Sequence, residues 1–133
     1  MMLRLAALAL LLATAAATAR AQPAPRPGDR PAQCFYLSRL DGWKAPDART
    51  LLLRVNTRDY WRLELAGECP MLTSPGVHLV TKTRGSDTIC RPIDLDLSVA
   101  EDGPGGVRVP CLVRSMRMLT AQEVAAIPPK LKP

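Results

Sequence analysis

The chain is poor in the side chains from which most catalytic and nucleic-acid sites are built. Its 133 residues include one histidine, His78, and only two Trp, two Tyr and one Phe. No G-x-S-x-G or H-E-x-x-H pattern accompanies that histidine, so a Ser-His-Asp triad or a zinc-protease site has no recognisable frame. C-x-x-C and C-x-x-C-H are also absent, which argues against thioredoxin-like redox chemistry and covalent haem. There is no D-x-D-x-D-G loop for calcium. Without a Lys/Arg run or an aromatic stacking ladder, nucleic acid is not an expected partner. Mean hydropathy near zero excludes a polytopic membrane protein.

The N-terminal segment has its own logic. Met1 to Arg4 give a short positive start, Leu5 to Leu12 an apolar run, and Ala19-Arg20-Ala21 the A-x-A pattern accepted by signal peptidase. Residues 1–21 are therefore expected to be a signal peptide, cleaved near Ala21, with the mature protein periplasmic or secreted. The apolar run falls short of the roughly 20 residues that cross a bilayer, so no permanent membrane span is expected. Removing residues 1–21 leaves 112 residues and takes away Arg4 and Arg20, which lowers the formal charge from +6 to near +4. Residues 22–33 carry Pro23, Pro25, Pro27 and Pro31 and read as an extended Pro-rich tether. Residues 34–127 form the folded domain, and residues 128–133, with two lysines among three prolines, a short basic tail.

Inside the domain the hydrophobic period is two. Trp61, Leu63 and Leu65 alternate with Tyr60, Arg62 and Glu64, as a half-buried strand requires. Ile93 to Val99 repeats the alternation. Further strands are expected over Cys34 to Arg39, Thr50 to Val55, Val77 to Lys82 and Val107 to Met118, the last disturbed by Pro110. Asp41-Gly42 through Pro46-Asp47 reads as a turn between strands. Thr120 and Glu123 have capping-box spacing and predict a short helix over Thr120 to Ile127, stopped by Pro128. The expected fold is mainly β: a small antiparallel barrel or sandwich of about six strands, one short C-terminal helix and two disulfides.

Cys34, Cys69, Cys90 and Cys111 are even in number and lie in the exported part, where oxidised sulfurs persist. Their gaps are too long for the paired ligands of a zinc ribbon. Four cysteines allow three pairings. If six strands alternate up and down, the parity of the ends favours Cys34–Cys90 and Cys69–Cys111.

No residue is assigned a catalytic, cofactor-binding or metal-binding role, and no cofactor is expected. The expected role is a binding or structural module of the cell envelope. Asp94 and Asp96, two apart on one expected strand, would share a face as paired carboxylates do, or simply form its solvated side. His78 with Asp94 supplies the alternative, a small hydrolase or metal-dependent enzyme. Arg54, Arg58 and Arg62 cluster around one hairpin, with Arg114 and Arg117 on the last strand; with Trp43, taken as loop-borne, and Asp94, the first three define a possible binding surface. An acidic envelope component or protein is the partner such arginines would meet, and the interleaved Asp59, Glu64 and Asp96 also fit an ordinary solvated surface.

Several segments together resemble a known family. They are Gly42-Trp43, Asp47 to Leu51, Tyr60 to Pro70, Ile89-Cys90 with Asp94, Cys111, and Leu119 to Val124. In this order they are similar to small exported bacterial proteins called domain of unknown function 6491. The resemblance covers nearly the whole mature domain. It implies a one-domain, cysteine-bearing periplasmic protein and brings no activity, cofactor or partner with it.

Overall fold

The computed structural model describes residues 33–133; the expected signal peptide over 1–21 and all but the last residue of the tether over 22–33 lie outside the described residues. Nine strands and one α-helix are present among them: β1 Phe35–Tyr36, β2 Leu40–Asp47, β3 Thr50–Val55, β4 Asp59–Leu65, β5 Val77–Thr83, β6 Thr88–Ile89, β7 Leu95–Glu101, β8 Arg108–Pro110, β9 Val113–Met118 and α1 Ala121–Ala126. They form a four-stranded sheet in the order β2-β3-β4-β9, a three-stranded sheet β5-β7-β8 and a two-stranded ribbon β1-β6. Every pairing is antiparallel. The sheets do not close into a barrel, and the arrangement is sandwich-like.

The core follows from alternation. Leu51 and Leu53 on β3 lie in register with Leu63 and Trp61 on β4, so with Val55 and Leu65 one face of the larger sheet is apolar. Leu95, Leu97 and Val99 on β7 face it from the smaller sheet within a single buried cluster. Trp61, 1% exposed, packs on Phe35 with ring centroids 4.9 Å apart, which brings the ribbon onto the same core. Leu52 breaks the pattern. It lies on the opposite face of β3 and is still 4% exposed, because α1 and the residues after it fold back over that face.

Two disulfides lock these layers. Cys34–Cys90 closes the ribbon beside Phe35 and Ile89, which are register partners, across 56 residues. Cys69–Cys111 spans 42 residues and ties the loop after β4 to the crossing between β8 and β9. No cysteine among the described residues is free. Strand parity favours the same pairs, but on a six-strand topology that this fold does not have.

Several local expectations are corrected. Asp41 to Asp47 is not a turn but most of β2, an edge strand whose turn-forming residues are absorbed by register shifts between Leu40 and Gly42 and between Lys44 and Asp47. Trp43 is consequently not loop-borne: it stands in β2 opposite Leu53 and packs, partly buried, on the core. Cys34 to Arg39 yields only the two residues of β1 before a 3-10 turn over Leu37–Arg39. Val107 to Met118 divides at Pro110, the end of edge strand β8, and the chain then crosses to the other sheet as β9. Ile93 and Asp94 sit in a 3-10 turn, Pro92–Asp94, so Asp94 and Asp96 are not two carboxylates of one strand.

The helix forms as its spacing predicts. Thr120 Oγ1 accepts from the Glu123 N–H at 3.3 Å, and the Glu123 carboxylate accepts from the Thr120 N–H at 2.9 Å. Beyond it, residues 128–133 pack along the outer face of the four-stranded sheet. Pro129–Leu131 forms a 3-10 turn, Lys132 Nζ lies 5.6 Å from the Tyr60 ring centroid, and Arg54 Nη1 donates to the Pro133 oxygen at 3.2 Å. No helix of the described residues is long and apolar enough to cross a membrane.

Candidate functional site

A groove of about 340 Å³ runs between the outer face of the four-stranded sheet and the segment that crosses it. That size falls at the lower end of small-molecule pockets, roughly 300–1,000 Å³. Its floor carries one residue from each strand: Pro46 from β2, Leu52 from β3, Arg62 from β4 and Arg117 from β9. Register explains the row, since Leu52 pairs with Arg62 and Arg62 with Arg117. Read across the sheet, the floor passes from apolar to cationic. The roof is Leu119, Ala126, Ile127 and Leu131, none of them fully buried.

An ion pair fastens the roof to the sheet. Arg117 Nη2 and Nη1 reach Glu123 Oε1 and Oε2 at 2.7 and 2.9 Å, a two-pronged pair joining β9 to α1. The Arg117 bonds, with the Thr120 N–H, hold the Glu123 carboxyl down at about 2, and the same pair raises the Arg117 pKa. Arg62 donates through Nε to Glu64 and through Nη2 to Thr50 Oγ1. The Arg49 N–H, 2.7 Å from Asp47 Oδ1, lowers the Asp47 carboxyl, and Arg62 contributes through its charge.

The residues singled out in the sequence do not gather at one place. Arg62 lies in the groove floor. Arg54 is engaged with Pro133, its Nε buried without a hydrogen-bond partner among the described residues, and Arg58 is exposed at the β3–β4 turn. Trp43 is on the inner face. Arg114 donates to the Ala66 carbonyl at 3.2 Å. Asp94 accepts from the N–H groups of Cys90 and Arg91 at 3.2 and 2.9 Å and from the Arg91 guanidinium. Desolvation pushes that carboxyl up, but these bonds outweigh it and leave its pKa lowered. Asp94 is thus a capping residue that fixes the chain beside Cys90.

His78 is paired with a different carboxylate. Its Nδ1 lies 2.7 Å from Asp102 Oδ1 on the exposed edge of β5, where His78 is in register with Ala100. Asp94 lies beyond the other end of the same ladder, after the Thr83 and Leu95 partners. Five residues of extended chain, roughly 16 Å, separate the ends, so His78 and Asp94 are not brought together. No group of three or more His, Cys, Asp or Glu among the described residues is placed to hold a metal.

What the sequence reading missed is the roof. The spacing of Val124 and Ile127 predicts that the helix packs on the sheet, and Ile127 does line the groove, but the partnership of Leu119 and Leu131 with Leu52 depends on a chain reversal that no local pattern encodes. The available signal was Leu52 itself, an apolar residue on the face that alternation assigns to solvent.

The fold and groove define a small, disulfide-locked β-sandwich protein whose outer sheet face is covered by a C-terminal strap. The chain belongs to the Family of unknown function (DUF6491), whose model matches residues 1–131. No curated protein and no solved structure matches it.

Proposed function

We propose that the chain is an exported protein, processed near Ala21, whose β domain serves as a binding or structural module of the cell envelope, in the periplasm or after secretion, without catalysis of its own. The observation that carries this reading is the pair of disulfides, each joining segments far apart in sequence, with no free cysteine left among the described residues. Such bonds persist in oxidising compartments and are rare where glutathione and thioredoxin act. Residues 1–21 serve as its signal peptide and residues 22–33 as an extended Pro-rich tether ahead of the domain. The enzyme alternative lacks support from geometry, since His78 and Asp94 stand at opposite ends of one ladder.

Expression of the full chain with its own leader, followed by fractionation and maleimide labelling with and without prior reduction, tests the proposal. Processed protein outside the cytoplasm that labels only after reduction is expected. Unprocessed cytoplasmic protein with reactive thiols contradicts it.

A further inference from the structure

We infer that the groove under the C-terminal strap is a binding site for a small amphiphilic anion, with an aliphatic body on Leu52 and the roof and a carboxylate or phosphate head at Arg62 and Arg117. This inference rests on the binding-module part of the reading above and is independent of export.

Three observations converge on it. The groove is an open cleft of about 340 Å³, lined mainly by apolar side chains, where the C-terminal segment crosses the outer face of the sheet. Its floor is polarised by topology: Pro46 and Leu52 lie on the β2–β3 side, and Arg62 and Arg117 on the β4–β9 side. Finally, the hydrogen-bonding capacity left in the groove is mostly donor capacity. Glu123, the carboxylate that lines it, already accepts from the Thr120 N–H and from both terminal nitrogens of Arg117. Each guanidinium has more N–H groups than these bonds use. Arg62 and Arg117 are moreover directly opposite on neighbouring strands, so that the guanidinium N–H groups not used by Glu64 and Glu123 are brought together on one side of the floor.

The size selects the body. The volume suits a single short acyl chain and is too small for a two-chain lipid. The head decides the sign, because the lining carboxylate, Glu123, is already engaged and the spare N–H donors belong to Arg62 and Arg117. A free fatty acid and a single-chain phosphate ester share this chemistry.

The test uses the oxidised protein starting at Gln22 and titrates decanoate, decyl phosphate, decanol and decyltrimethylammonium by calorimetry. Saturable binding of the two anions is expected, with decanol and the ammonium at least about tenfold weaker, as loss of a charge-assisted hydrogen bond predicts. A preference for decyl phosphate points to phospholipid-derived ligands, and one for decanoate to free fatty acids. Ala126→Trp, which fills the groove from an exposed position of α1, abolishes binding of both. Arg62→Gln weakens the anions about tenfold and leaves decanol unchanged. Urea unfolding of each variant reports its fold, and if Ala126→Trp fails to fold, Arg62→Gln still reads the head-group site. Absence of saturable anion binding, equal binding of all four probes, or anion binding indifferent to both substitutions overturns the inference. Those results leave export standing, whereas free thiols or cytoplasmic retention sink export and leave the groove untouched.

Discussion

Arg117 and Glu123, six residues apart, hold the C-terminal helix to the sheet by a two-pronged ion pair, and the same carboxylate caps the helix through the Thr120 N–H. One side chain therefore organises both the start of α1 and its attachment. Its carboxyl is lowered from the ordinary 4.5 to about 2. A depressed carboxylate pKa contributes stability that is fully present above the ordinary value and is lost as pH falls through the folded one. The melting temperature of the protein is thus expected to exceed that of Glu123→Gln at pH 6. The gap narrows between pH 4.5 and 2, and thermal unfolding followed by circular dichroism across this range checks it.

The two disulfides differ in burial. Cys69 and Cys111 are 2% and 5% exposed, whereas Cys34 is exposed and Cys90 half-buried. Limited reduction of the folded protein is expected to open Cys34–Cys90 first, as thiol attack requires access. Peptide mapping after brief dithiothreitol treatment reads the order. Removing either bond by paired Cys→Ala substitution lowers stability by about 4 kcal/mol in the chain-entropy account for rings of this size, measured by urea denaturation.

Trp61 is the largest fully buried side chain and joins the four-stranded sheet to Phe35 of the ribbon. Trp61→Ala is expected to cost about 3–5 kcal/mol, by lost burial and the cavity left behind. Its equilibrium unfolding midpoint in urea reports this directly.

Gly106 turns the chain from β7 into β8, and a Cβ there would lie 2.5 Å from the Glu101 carbonyl oxygen. Backbone must move to admit it. Gly106→Ala should lose about 1–3 kcal/mol, while Gly67→Ala, which meets nothing within 4 Å, changes stability little. Parallel denaturation curves of the two variants separate a steric cause from a general glycine effect.

How much of this was legible in the sequence follows from the range of each signal. β4 keeps its period of two because one face of it is buried by the opposing sheet, and Leu95, Leu97 and Val99 of β7 keep theirs although Ser98 and Ala100 on the other face are buried too. The helix is local too, since Thr120 and Glu123 carry their own capping bonds. β2 is hidden because Gly42, Pro46 and Asp47 are turn formers that an edge strand tolerates at its register shifts. The division at Pro110 was signalled, but not that the two halves join different sheets. The groove was invisible as a unit: Arg62 and Arg117 become neighbours only through β4–β9 register, and Leu52 acquires its roof only from residues far downstream. Grouping Arg62 with Arg54 and Arg58 followed proximity in sequence, whereas the sheet places Arg62 beside Arg117.

The central claim is that this is an exported β domain locked by two internal disulfides. Its most direct test is the intact mass of the native protein recovered from outside the cytoplasm, measured before and after reduction. The account predicts a chain starting at Gln22 that gains about four mass units on reduction, from two opened bridges. An intact leader, or a mass unchanged by reduction, would contradict it.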